Sequence, residues 1–112
     1  MPNSIFVGVR EKWLPLYLQI RDMAINKVGL FDEHMTTSAV LWKHKTTFAE
    51  VSAKKDYMVI AFFSDKLHEE WKPSKSLQTS KNRIVHYFEV TDNASFQTLI
   101  EYITQSYALT KP

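Results

Sequence analysis

The chain has 112 residues, a net charge of +2, 45% hydrophobic and 23% charged residues, two glycines, four prolines and no cysteine. That length supports one hydrophobic core rather than two. The missing cysteine excludes disulfides and thiolate metal sites, and so small a net charge does not by itself point to nucleic acid. No apolar run is long enough for a secretory leader or a membrane span, so no membrane partner is expected and the cytoplasm is the expected location.

The first element is a helix over residues 11–27. Trp13, Leu16, Tyr17, Ile20, Met23, Ala24 and Val28 recur every three or four positions and mark one buried face. Pro15 fits only in the first turn, where no N–H is needed, and Gly29 suits the helix end. Leu14, Leu18 and Ile25 widen the apolar arc, enough to pack on residues 5–9 or to meet a second copy of the chain.

The period then shifts toward two. "TTSAVLWKHK" reads as a strand to about Lys43, "TFAEVSA" (47–53) as the next and "YMVIAFF" (57–63) as the third. Short links imply an antiparallel meander, and the third strand, apolar on both faces, belongs in the middle of a sheet. Residues 64–82 are polar and read as a long loop with room for a short helix around 66–71. "RIVHYFEV" (83–90) is a fourth strand. "TDNASFQTLIEYITQSYAL" is a final helix, capped by Asp92 or Asn93, with Phe96, Leu99, Ile100, Ile103 and Tyr107 as its apolar stripe. The expected fold is a single α+β domain with both helices on one face of an antiparallel sheet.

Chemistry-bearing residues are sparse. His86 and Glu89 stand three apart on one strand, so they point to opposite faces and cannot act as a dyad. His86 alone, among apolar neighbours, reads as a buried, hydrogen-bonded histidine or as a ligand-contacting or proton-transferring group in a cleft. Glu89 reads as a cross-strand ion-pair member beside Arg83. His34 with Asp32 and Glu33, and His68 with Glu69 and Glu70, lack the spacing of a metal set. There is no nucleophile elbow or phosphate loop, and no cofactor is implied.

Charge placed on the topology is more informative. The first hairpin tip (Lys43, Lys45) and residues 64–83 should meet at one end of the sheet. The latter carry Lys66, Lys72, Lys75, Lys81 and Arg83 against Asp65, Glu69 and Glu70, which leaves +4 there and −2 elsewhere. Trp42 and Trp71 belong to the same region. The candidate binding residues are therefore Trp42, Lys43, Lys45, Arg83 and His86, for a nucleic acid or another phosphate-bearing ligand. The alternatives are an enzyme using His86 and a module that self-associates through the first helix.

The segments "FVGVREKWLPLYLQI", "WKHKTTFAEV" and "RIVHYFEV", followed by the capped final helix, resemble a bacterial family of small uncharacterised domains. The family pattern falls on Gly8, Phe48, Ala49, His86 and Glu89. A lysine expected before the first strand is Thr37 here, and a second histidine expected after the first is Tyr87. The resemblance implies the fold and no reaction. Related domains occur in longer proteins described as predicted transport or restriction-associated.

Overall fold

The computed structural model describes residues 5–110. A 3-10 segment, Gly8–Trp13, runs into helix α1, Leu14–Lys27, with Pro15 in its first turn. Six strands follow: β1 Asp32–Met35, β2 Val40–His44, β3 Thr46–Ala53, β4 Met58–Ser64, β5 Lys75–Ser80 and β6 Arg83–Val90. Helices α2, Asn93–Gln97, and α3, Ile100–Ala108, follow β6. All pairings are antiparallel, in the order β1-β2-β3-β4-β6-β5.

The α+β architecture agrees with the sequence reading, with six strands in place of four. Both additional strands are edges. β1 is four residues, two of them acidic, and β5 occupies what reads as a loop. An edge strand buries little side chain, so its sequence carries no apolar alternation. The expected short helix around 66–71 is one 3-10 turn, Glu69–Trp71. The final helix is divided at Thr98 and Leu99. There the Thr98 hydroxyl donates to Ser95 O and the Leu99 N–H closes a tight turn on Phe96 O. Asp92 caps α2, accepting from the Ser95 N–H, while the Ser95 hydroxyl accepts from the Asp92 N–H.

The core joins α1 (Tyr17, Ile20, Ala24), α2 and α3 (Phe96, Ile103) and one side of the sheet (Trp42, Val51, Ile60, Phe62, Phe88 among others). A β-bulge shifts the β2–β3 register after Trp42, so that Phe48 and Ala49 are both buried. A polar relay runs through the core. Trp42 Nε1 donates to Tyr17 Oη, whose hydroxyl donates to Glu33, and Arg21 Nε lies 2.8 Å from the other oxygen of that carboxylate. Burial first, then the bond to Glu33, raises the Tyr17 pKa far above that of a free phenol. Among the described residues, no helix is long and apolar enough to cross a membrane.

The far end of α1 depends on Gly29, at φ +153°, where an added Cβ would lie 2.7 Å from the Tyr107 ring and hydroxyl. That hydroxyl donates to Leu30 O, and the ring stacks on His44. Gly29→Ala is therefore expected to lower the unfolding free energy by roughly 1–3 kcal/mol. Gly8→Ala, at φ +60° with nothing within 4 Å of the added atom, should cost about 1 kcal/mol of backbone strain alone. Urea unfolding of both variants checks this, and equal losses would mean that crowding against Tyr107 contributes nothing.

Candidate functional site

The first hairpin tip and the start of β6 do meet at one end of the sheet. The Arg83 guanidinium donates to Thr47 O at 3.2 Å and lies 3.9 Å over the Phe63 ring. Lys45 forms the turn between β2 and β3 in the left-handed conformation, φ 69°. Lys43, Lys45, Lys66 and Lys81 are exposed near Arg83 along this end, with Asp32 across the ladder from Lys43 and Asp65 beyond β4. The resulting balance is +3.

Four members of the expected charge grouping are corrected. Lys75 pairs with Tyr87, halfway along β6, and Lys72, Glu69 and Glu70 precede it in the crossing segment. The reason is β5: residues 64–82 travel away from the basic end and return to it as a strand. Trp42 is also corrected as a binding residue. It is fully buried, its ring stacks with Phe31 and its N–H is used by Tyr17, so no stacking surface is left for a ligand. Trp71 is buried between His68 and Tyr102.

A pocket of about 200 Å³ opens at this end, and Arg83 lines it together with hydroxyls from Thr46, Thr47, Ser64, Ser106 and Thr110. Asp65 is the one carboxylate in its lining. Ser106 shapes it. The pair Ala49↔Phe62 places Phe48 opposite Phe63, yet the Ser106 hydroxyl stands between those two residues, accepting from the Phe63 N–H at 3.2 Å and donating to Phe48 O at 2.8 Å. The side chain thus substitutes for a ladder bond and holds the ends of β3 and β4 apart. Thr110 accepts from His44 Nδ1 and donates to Tyr107 O, completing the far wall. Sequence reasoning missed these hydroxyls because they come from β3, β4 and the end of α3. Ser106 does carry a signal, since it occupies a core-facing position three residues after Ile103.

His86 lies elsewhere. It is fully buried and paired with Phe62, lines none of the pockets described here, and accepts the His68 N–H on Nε2 at 3.2 Å. The proton is therefore on Nδ1, which has no hydrogen-bond partner among the described residues. His68 stacks on Trp71 and bonds Glu70 through Nδ1 at 2.9 Å. Glu89 is exposed on the opposite side of β6, so the two residues do face apart. The expected cross-strand ion pair of Glu89 is not found among the described residues, and Arg83, on the same strand, turns to Phe63 and Thr47.

Burial, then the charge of His68, lowers the His86 pKa below its ordinary 6.5, with Phe62 and Glu70 acting in the opposite sense. Below about pH 6.5 the unfolded chain binds a proton that the folded protein resists, so stability falls as pH drops through and below that value. His86→Gln keeps an acceptor for the His68 N–H and cannot titrate. Its stability, measured by urea unfolding on both sides of pH 6.5, is expected to depend less on pH than that of the wild type. An unchanged slope would remove His86 as the cause.

A family model described as Domain of unknown function (DUF5655) matches residues 3–110. No curated protein and no solved structure matches the chain. The matched span includes the Gly8 lead, the Phe48–Ala49 strand and the strand from His86 to Glu89, and the chain belongs to the DUF5655 family.

Proposed function

We propose that this protein is a binding module for a phosphate-bearing ligand, taken at the basic end of the sheet with Arg83 as its anchor. The reading takes the helices to cover one face of the sheet and to leave the other face and this end to the ligand. One observation carries it: the Arg83 guanidinium lines a hydroxyl-rich pocket and has no carboxylate within ion-pair distance among the described residues. Of its five N–H donors, Thr47 O uses one, and stacking on Phe63 fixes the plane of the group. A planar fork held in place, with no ion-pair partner among the described residues, suits a phosphate, whose oxygens accept two parallel bonds from it. Ser64, Thr46 and Asn82 add short polar groups around it, while Lys45 and Lys81 add long-range attraction.

The other readings have less support. His86 is fully buried and does not line the pocket at the basic end. In the first helix, Leu14 packs against the core and Ile25 is half-buried, leaving Leu18, 42% exposed, as the open member of the trio.

Titration with inorganic phosphate at low ionic strength, followed by amide chemical shifts, is expected to move Thr47, Ser64, Asn82 and Arg83. Arg83→Gln should abolish these shifts. Lys45→Glu should weaken binding and reduce its salt dependence, the mark of a charge that attracts from the rim. Absence of shifts at these amides in the wild type, at low salt, would defeat the reading.

A further inference from the structure

The side of the sheet away from the core carries a second feature. Along β6 the residues turned outward are Arg83, Val85, Tyr87 and Glu89, alternating with the core-facing His86, Phe88 and Val90. Tyr87 and Glu89 line a groove of about 360 Å³ together with Tyr57, Lys54, Lys75 and Ser52. Two rings on this side each carry a cation above them: Arg83 over Phe63, and Lys75 with its Nζ 4.7 Å from the Tyr87 centroid. The floor between the two pairs, Val85 and Ala61, is closed and apolar. Glu89 has no ion-pair partner among the described residues, although two lysines share its groove.

From Arg83 to Tyr87 is roughly 13 Å along the strand, and from Arg83 to Glu89 roughly 20 Å. One phosphate group cannot touch both ends. A chain of nucleotides can, because it repeats a phosphate and a flat ring at regular intervals. Cations beside outward-turned aromatic rings are what such a chain requires: a base stacks on Tyr87 as Lys75 moves from that ring onto a phosphate, while Arg83 keeps its place on Phe63 and takes another. An unpaired carboxylate at the far end would then repel phosphate but accept from an amino group on a base edge, as acidic side chains do with the N4 amino group of cytosine.

We infer that the outer face is a track for single-stranded nucleic acid, with a backbone phosphate at Arg83, a base on Tyr87, and Glu89 selecting bases that present an amino group. This rests on the Arg83 reading above and names its ligand class. The anionic strand meets Arg83, Lys75 and Lys54 along the track, and Glu89 is the one carboxylate lining the groove.

Fluorescence anisotropy with short labelled oligo(dC) and oligo(dT) tests it. Wild type is expected to prefer oligo(dC) roughly tenfold, since thymine offers the carboxylate no amino group. Glu89→Gln should narrow that preference, Tyr87→Ala should weaken both oligonucleotides roughly tenfold, and Arg83→Gln should weaken both and reduce the salt slope. Thermal unfolding of each variant confirms that it is folded. If oligo(dC) and oligo(dT) bind alike and the Tyr87 and Glu89 variants match wild type while Arg83→Gln still loses binding, the track fails and the phosphate site stands. The track also fails if dCMP binds as tightly as oligo(dC). If neither oligonucleotide nor inorganic phosphate binds at low salt, both readings fall together.

Discussion

The hydroxyl of Ser106 is the hinge on which the basic end is built. It occupies the place of a backbone bond between Phe48 and Phe63, and is nearly inaccessible to solvent. A methyl group there would leave a buried carbonyl and a buried amide without partners, or let β3 and β4 close on each other. The same side chain anchors α3 to the middle of the sheet, so one small polar group sets both the packing of a helix and the width of a pocket. The bulge at Phe48 acts with it. By turning two consecutive residues into the core, it changes the direction in which β3 leaves toward Lys45 and Thr47.

The two sides of the sheet serve opposite physical needs. The core side is dense with aromatic rings, from Phe31 and Trp42 through Phe48 and Phe62 to Trp71 and Tyr102. Its buried polar atoms are largely absorbed in the Glu33–Tyr17–Trp42 relay and the His68–His86 contact. The other side leaves Arg83, Lys75, Tyr87 and Glu89 in contact with solvent to varying degrees. Such a division lets the residues of the outer side vary without disturbing the core, because neither Arg83 nor Lys75 is part of a buried ion pair among the described residues.

Much of the fold was legible in the residues. The inner strands have apolar side chains on one or both faces, and α1 and α3 have regular stripes, so their existence and order could be read. Arg83 and Lys45 could be brought to one end from the meander alone. The edges could not be read, since Asp32–Met35 and Lys75–Ser80 are stabilised by ladder bonds and not by burial. That omission displaced Lys72 and Lys75 in the reading. Trp42 was misplaced for another reason: an indole suits a ligand and a core equally well, and only the facing of β2 decides between them. The pocket hydroxyls were invisible because Ser64 and Ser106 lie far apart in the chain and meet only after α3 docks.

The turn at Lys45 carries a final implication. Glycine or asparagine would sit more comfortably at φ 69°, and a lysine there leaves the hairpin about 1 kcal/mol less relaxed. With no ring or carboxylate recorded against its ammonium among the described residues, local packing offers no return for that discomfort. A tight reversal also allows the side chain little latitude in where it starts, so the charge is projected from a fixed root into open water. In effect the hairpin works as a mast, with stiffness below and an exposed cation above.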